Sequence, residues 1–190
     1  MMIEMDIPGS SIAIIDDGQL VYYSENGFAN TEEETPVNAQ TIFEGASMSK
    51  PAFAFMVMSL AEAGRLDLDQ PVHEYFDYRP FGTREGAAWY EKLTPRMLLS
   101  HTTGLPNWRE ADTLSVAFEP GTRFSYSGEG YILLERAVQE ALGTDYRGLE
   151  AYFQSHVAAP LGMTSTKFVQ DSASIGRTAT PYRLAPPSSP

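Results

Sequence analysis

The stretch IFEGASMSKPAFAF, residues 42–55, decides how this 190-residue chain is read. It opens apolar and β-branched, passes through small residues, and then enters a helical pattern. Phe53, Met56, Val57, Leu60 and Ala61 recur at i, i+3, i+4, i+7 and i+8, and Gly64 ends the run. Ser47, Ser49 and Lys50 stand at the junction. If Ser47 opens the helix, Lys50 lies one turn on and on the same face, with its amine in reach of the hydroxyl. A helix N-terminus adds free N–H groups and partial positive charge there, which favour an alkoxide-like nucleophile and a developing oxyanion. The S-x-x-K spacing alone is weak evidence, since chance supplies it about 0.25 times in a chain of this composition. The plain assignment makes Ser47 an N-cap and Lys50 a solvated first-turn residue. Against it stands PAFAFMVMSL, the run after Lys50, which is apolar on nearly every face and is expected to be buried.

Upstream, residues 10–29 form a hairpin pattern: SSIAIID, a turn signal at Asp16-Asp17-Gly18, then QLVYYSENGFA. Downstream, TPRMLLSHTTGLP predicts a helix with Thr94 as N-cap, Pro95 at its first position, and Gly104 and Pro106 closing it. Residues 107–123 are loop-like. SGEGYILLERAVQEALG predicts a further helix, with Ile132, Leu133, Arg136 and Ala137 at helical spacing and Gly143 at its end. YRGLEAYFQSHVAAPLG predicts the next, and the Ser-, Pro-, Ala- and Thr-rich end from 171 carries no expected element. The expected organisation is an N-terminal hairpin over 1–45, a mainly helical region over 46–168, and a linker or frayed tail over 169–190. A lone hairpin is no stable sheet, so this order begins a sheet without finishing it.

Composition narrows the chemistry. A hydrophobic fraction of 43% supports a real core, and a net charge of -12 argues against nucleic acid and against an anionic membrane surface. There is no cysteine, so thiol catalysis and disulfides are excluded. His73, His101 and His156 lack ligand spacing, and neither a metal nor a cofactor is expected. The start MMIEMDIPGS has no basic n-region or apolar h-region, and no apolar run nears the ~18 residues of a membrane span, so the chain is expected to be soluble and cytoplasmic. G-x-S-x-G, G-x-G-x-x-G and Walker sequences are absent.

A second stretch carries chemistry: PGTRFSYSGEGYILL places Tyr126 and Ser127 just before a glycine-rich helix start. A phenol held near an amine can shuttle protons, because a neighbouring Lys⁺ lowers a tyrosine pKa. Together, FEGASMSKPAF, LTPRMLLSHTTGLP, FEPGTRFSYSGEGYILLERAV and PLGMTSTKF resemble, in order, successive landmarks of the serine β-lactamase and penicillin-binding-protein-like family. That family includes class C β-lactamases, DD-peptidases and family VIII carboxylesterases, and the resemblance covers about residues 8–168. It implies an α+β, β-lactamase/transpeptidase-like fold, here with an incomplete antiparallel sheet. It implies Ser47 as the acyl-accepting nucleophile, Lys50 as neighbouring base or proton shuttle, and Tyr126 as the second proton-transfer group. The Ser47 N–H would be half of the oxyanion hole.

Two departures matter. The family's Y-x-N reads Tyr126-Ser127-Gly128 here, which removes an amide that contacts substrate amides and tilts the expectation toward esters. No K-T-G or H-x-G motif follows Tyr126 within these residues; SHTTG at 100–104 precedes it, and the resemblance makes His101 a structural residue. The expected function is a serine hydrolase acting through an acyl-serine on a small-molecule ester, amide or β-lactam. The alternative is an incomplete or non-catalytic module of the same fold, joined through its unfinished sheet to itself, to a C-terminal segment or to a partner chain. These residues alone are expected to turn over slowly, since one missing oxyanion donor typically costs about 10²–10³ in kcat.

Overall fold

Asp17 and Gly18 both have positive φ, +46° and +72°. That is the turn whose twist matches two paired strands, and it joins β1 (Gly9–Asp16) to β2 (Gln19–Asn30). The computed structural model describes residues 5–78, 81, 83–110 and 112–182. The strands pair antiparallel from Gly9 opposite Gly27 to Asp16 opposite Gln19, with a bulge between Ile14 and Ile15. A two-residue β3 (Thr35–Pro36) adds to β2, so among the described residues the sheet has three strands in the order β1-β2-β3 rather than the expected two.

Chain contacts divide the protein into two compact units, Met1–Ala46 with Ser165–Pro190, and Ser47–Thr164. In the first, large apolar side chains of the hairpin stay open to solvent, from 43% exposed at Phe28 to 68% at Ile15. The segment after Phe168 differs from the expected linker. Asp171 and Ser174 form a reciprocal capping box that starts α6 (Ser172–Ile175). Ile42 N–H then donates to Arg177 O at 2.8 Å, Ala179 N–H to Ile42 O at 2.8 Å, and Thr180 N–H to Ala29 O at 2.8 Å. Backbone hydrogen bonds thus hold the chain through Thr180, where composition alone suggested fraying. Residues 183–190 of the expected tail lie outside the described residues.

The second unit is helical. A 3₁₀ turn (Ala46–Met48) leads into α1 (Ser49–Glu62), so the helix starts two residues later than Ser47. Phe53, Met56, Val57 and Leu60 are buried as their spacing predicted, but Phe55 and Met58 are half exposed, so α1 is buried on one side only. α2 (Arg84–Tyr90), which no periodic signal marks, is capped by Thr83 Oγ1 accepting from Gly86 N–H at 3.0 Å. α3 (Pro95–Leu99) has the expected Thr94 cap and first-position proline, and ends earlier than Gly104. α4 (Gly128–Leu142) buries Leu133, Leu134, Ala137 and Val138, leaves Ile132 and Arg136 exposed, and ends at Gly143. α5 (Tyr146–Phe153) follows and runs on into a π-helical turn, Gln154–Ala158. The unit's core is α1, α3, α4, α5 and that turn, closed by Leu66, Val72, Tyr90, Leu93 and Leu105. Among the described residues no helix is long and apolar enough to cross a membrane.

Candidate active site

Lys50 is the second residue of α1, and its Nζ donates to Ser47 Oγ at 3.1 Å. Ser47 sits in the preceding 3₁₀ turn, entered through Ala46 in the left-handed region at φ +42°. A residue with a β-carbon holds that conformation only at an energetic cost, and here it redirects the chain just before the serine. The side chain of the α1 N-cap, Met48, makes no capping bond, and the Ser47 hydroxyl is engaged by Lys50 rather than by the helix start. The i, i+3 geometry anticipated from sequence is therefore present, although Ser47 is not itself helical.

Tyr126 completes the cluster from another part of the chain. Hydrogen bonds with Lys50, and next with Ser47, hold its phenol below the usual tyrosine range. Lys50 Nζ also lies 5.1 Å from the Tyr126 ring centroid and 5.5 Å from that of Tyr131, so two aromatic faces flank the ammonium. Tyr131 shifts the other way: burial, and secondarily the neighbouring Tyr126, raise its pKa. Ser47 and Lys50, two of the three residues singled out from sequence, are thus hydrogen-bonded to each other, and the third, Tyr126, has its ring beside the Lys50 amine. His73 and His156 stand apart from it, packed against Tyr90 and Tyr152 respectively.

Tyr126 is held by the loop that follows α3. Ser127, its neighbour, is a buried N-cap: Oγ accepts from Gly130 N–H at 2.8 Å and donates to Pro106 O at 2.9 Å. That hydroxyl is fully used in fixing the start of α4. Ser125 N–H donates to His101 O at 2.8 Å, and Ser127 N–H donates to His101 Nδ1 at 3.0 Å. Gly128 N–H donates to Asn107 Oδ1 at 3.1 Å. A β-carbon at Gly128 would stand 2.4 Å from Asn107 O, so only glycine fits. The Asn107 backbone thus occupies the space that the side chain of an asparagine in the Y-x-N pattern would enter. Deeper in, Arg109 Nη2 pairs with Glu129 Oε2 at 2.8 Å, where Glu129 is only 5% exposed. Neither Asn107 nor this ion pair is foreshadowed in the sequence; LPNW and SGE carry no local signal of a contact across 20 residues.

An antiparallel sheet followed by a helical region, with Ser-x-x-Lys at the head of one helix and a tyrosine before another, defines the β-lactamase/transpeptidase-like α+β fold. Comparison with known proteins agrees. The family model described as Beta-lactamase matches residues 2–190, and the chain belongs to that family. It is 28% identical to Esterase EstB of Burkholderia gladioli, a match covering 97% of this chain and 52% of that protein. Among solved structures it is similar to the octameric penicillin-binding protein homologue from Pyrococcus abyssi, at 30% identity and TM-score 0.77 over 97% of this chain and 46% of that one. A class C beta lactamase from Rhodobacter sphaeroides gives 27% identity and TM-score 0.75, over 97% of this chain and 55% of that one. The chain thus spans about half the length of these relatives.

Proposed function

We propose that this protein is a serine hydrolase working through an acyl-Ser47 intermediate, with small-molecule esters as its preferred substrates. The observation that carries the reading is the Ser47–Lys50–Tyr126 group, with Oγ 3.1 Å from Nζ and the phenol drawn down by both neighbours. Lys50, as a hydrogen-bond donor, favours the phenolate of Tyr126, which makes Tyr126 the base and Lys50 its electrostatic support. Tyr126 O⁻ takes the Ser47 proton as Oγ bonds to the substrate carbonyl carbon. The phenol then returns that proton to the departing alkoxide as the ester C–O bond breaks. Water, deprotonated by the same phenolate, next attacks the acyl carbon, releases the acid and restores the Ser47 hydroxyl. The Ser47 N–H, at the 3₁₀ turn, is assigned to the oxyanion.

The preference for esters rests on Gly128, where a contact to a substrate amide is replaced by the approach of Asn107. Incubation with a fluorophosphonate should label Ser47, and a chromogenic short-chain ester should be turned over faster than a chromogenic cephalosporin. Absence of any adduct in wild type, or equal labelling of Ser47→Ala, would remove the hydrolase reading.

A second reading is favoured by the open hairpin, whose Ile14, Ile15, Leu20 and Tyr22 are at least half exposed. In it, β1 and β2 are covered in the working protein by further polypeptide, a second copy or another segment, and turnover depends on that cover. Light scattering of the purified chain separates the two. A strict monomer with full esterase turnover leaves the second reading without support.

A further inference from the structure

α3 ends in a motif that glycine ordinarily serves. His101 N–H donates to Leu98 O at 3.3 Å and Thr102 N–H to Met97 O at 3.0 Å, with His101 left-handed at φ +57°. This is the double closing bond of a helix C-terminus, and its left-handed position favours a residue without a β-carbon. A histidine there carries a conformational cost, which points to work done by its side chain. That side chain and its carbonyl grip the residues on both sides of Tyr126: Ser125 N–H on His101 O, Ser127 N–H on His101 Nδ1. The imidazole centroid also lies 4.4 Å from the Tyr126 ring at a 34° tilt. Tyr131 at 5.1 Å and the edge of Phe124 at 5.8 Å complete its surroundings.

We propose that His101 is the positioning residue for Tyr126, a neutral imidazole that clamps the phenol against Lys50 and Ser47. The proposal rests on the reading of Tyr126 as the proton-transfer group. Three properties of the neutral ring suit it to this role. Nδ1 is an acceptor for Ser127 N–H, the flat face meets the phenol ring, and no charge is added. The titratable groups facing the imidazole are Lys50 from α1, Tyr131 from α4, and Tyr126 just before α4. Burial, then the Lys50 ammonium, hold the ring below the ordinary histidine range. Acid opens the clamp, because a proton on Nδ1 opposes Ser127 N–H and brings a second cation beside Lys50.

The test uses the full chain and two readouts, the Tyr126 ionisation midpoint from NMR of ring-labelled tyrosine, assigned with Tyr126→Phe, and the rate of fluorophosphonate labelling at Ser47. His101→Gly suits the left-handed backbone, so its melting temperature should hold or rise. Its Tyr126 midpoint should nevertheless move up toward the ordinary tyrosine value, and labelling should slow about 10²-fold, the loss expected of a misplaced group. His101→Asn tolerates the same backbone and keeps an acceptor at its δ1 position. It should restore part of both readouts, and it should also lose the acid limb of the wild-type labelling profile below pH ~6.5. A folded glycine variant with unchanged midpoint and rate would overturn the proposal. So would a glycine variant that cannot fold, since the ring would then be a packing element. Wild type that takes no label at all removes the hydrolase reading instead, while the NMR midpoint still reports whether His101 holds Tyr126.

Discussion

Leu60 and Leu134 in the helical unit are fully buried, whereas Ile14 and Tyr22 in the hairpin are each 50% exposed. Both regions are rich in large apolar residues, yet only one closes over them. The helical unit spans Ser47–Thr164 and contains every member of the candidate site, together with the loop bonds that orient them. The hairpin has backbone pairing and turn chemistry of its own, but little burial. Local helix packing therefore builds the site's geometry, while the sheet is specified chiefly by its turn and register.

Substitutions can break that contrast in graded steps. Leu134→Ala should cost about 2–5 kcal/mol by leaving a cavity in the helical core, and Ile14→Ala below about 1 kcal/mol, measured by denaturant unfolding. Equal costs would mean that the hairpin is buried in solution as the helices are. Next, Arg109→Ala should cost about 3 kcal/mol, because it leaves the carboxylate of Glu129 buried without its partner. A stability unchanged within error would show that Glu129 gains solvent or another cation. A smaller effect than at Arg109 is expected from Gly128→Asn, which restores the Y-x-N pattern against the Asn107 carbonyl. Overpacking there should cost about 1–3 kcal/mol without raising the rate of cephalosporin cleavage. A stable variant that gains such cleavage would show that the Asn107 loop yields, and that the glycine is a choice of substrate rather than of space.

Legibility from sequence followed the range of the interactions. The Asp17-Gly18 turn, the α1 spacing, the Thr94-Pro95 start and the Gly143 stop are all decided within a few residues, and each lies where the pattern put it. α2 was not legible: REGAAWY buries only Gly86 and Tyr90 and shows no apolar stripe. α6 begins at a capping signal, Asp171-x-x-Ser174, but Ser and Thr around it suggest a loop equally well. In the candidate site, Ser47 and Lys50 are legible as a one-turn pair. Tyr126 became a candidate through its order among the family landmarks. His101 carried a structural expectation, and what it adds is its grip on Ser127, 26 residues away.

Residue order was thus enough to establish the family, the hairpin with its turn, the main helices, and the three residues that form the candidate site. These rest on short-range rules: periodicity, caps, turn dihedrals, and motifs held in order along the chain. Packing in three dimensions was needed to put Ser47 before the helix rather than in it. It also wedges Lys50 at two tyrosine rings, sets Asn107 where it excludes a side chain at Gly128, and closes His101 on both neighbours of Tyr126. The reason is physical. Each of these depends on which segments pack together when the helical core closes, and no local pattern encodes a contact whose partner arrives from the far side of a loop.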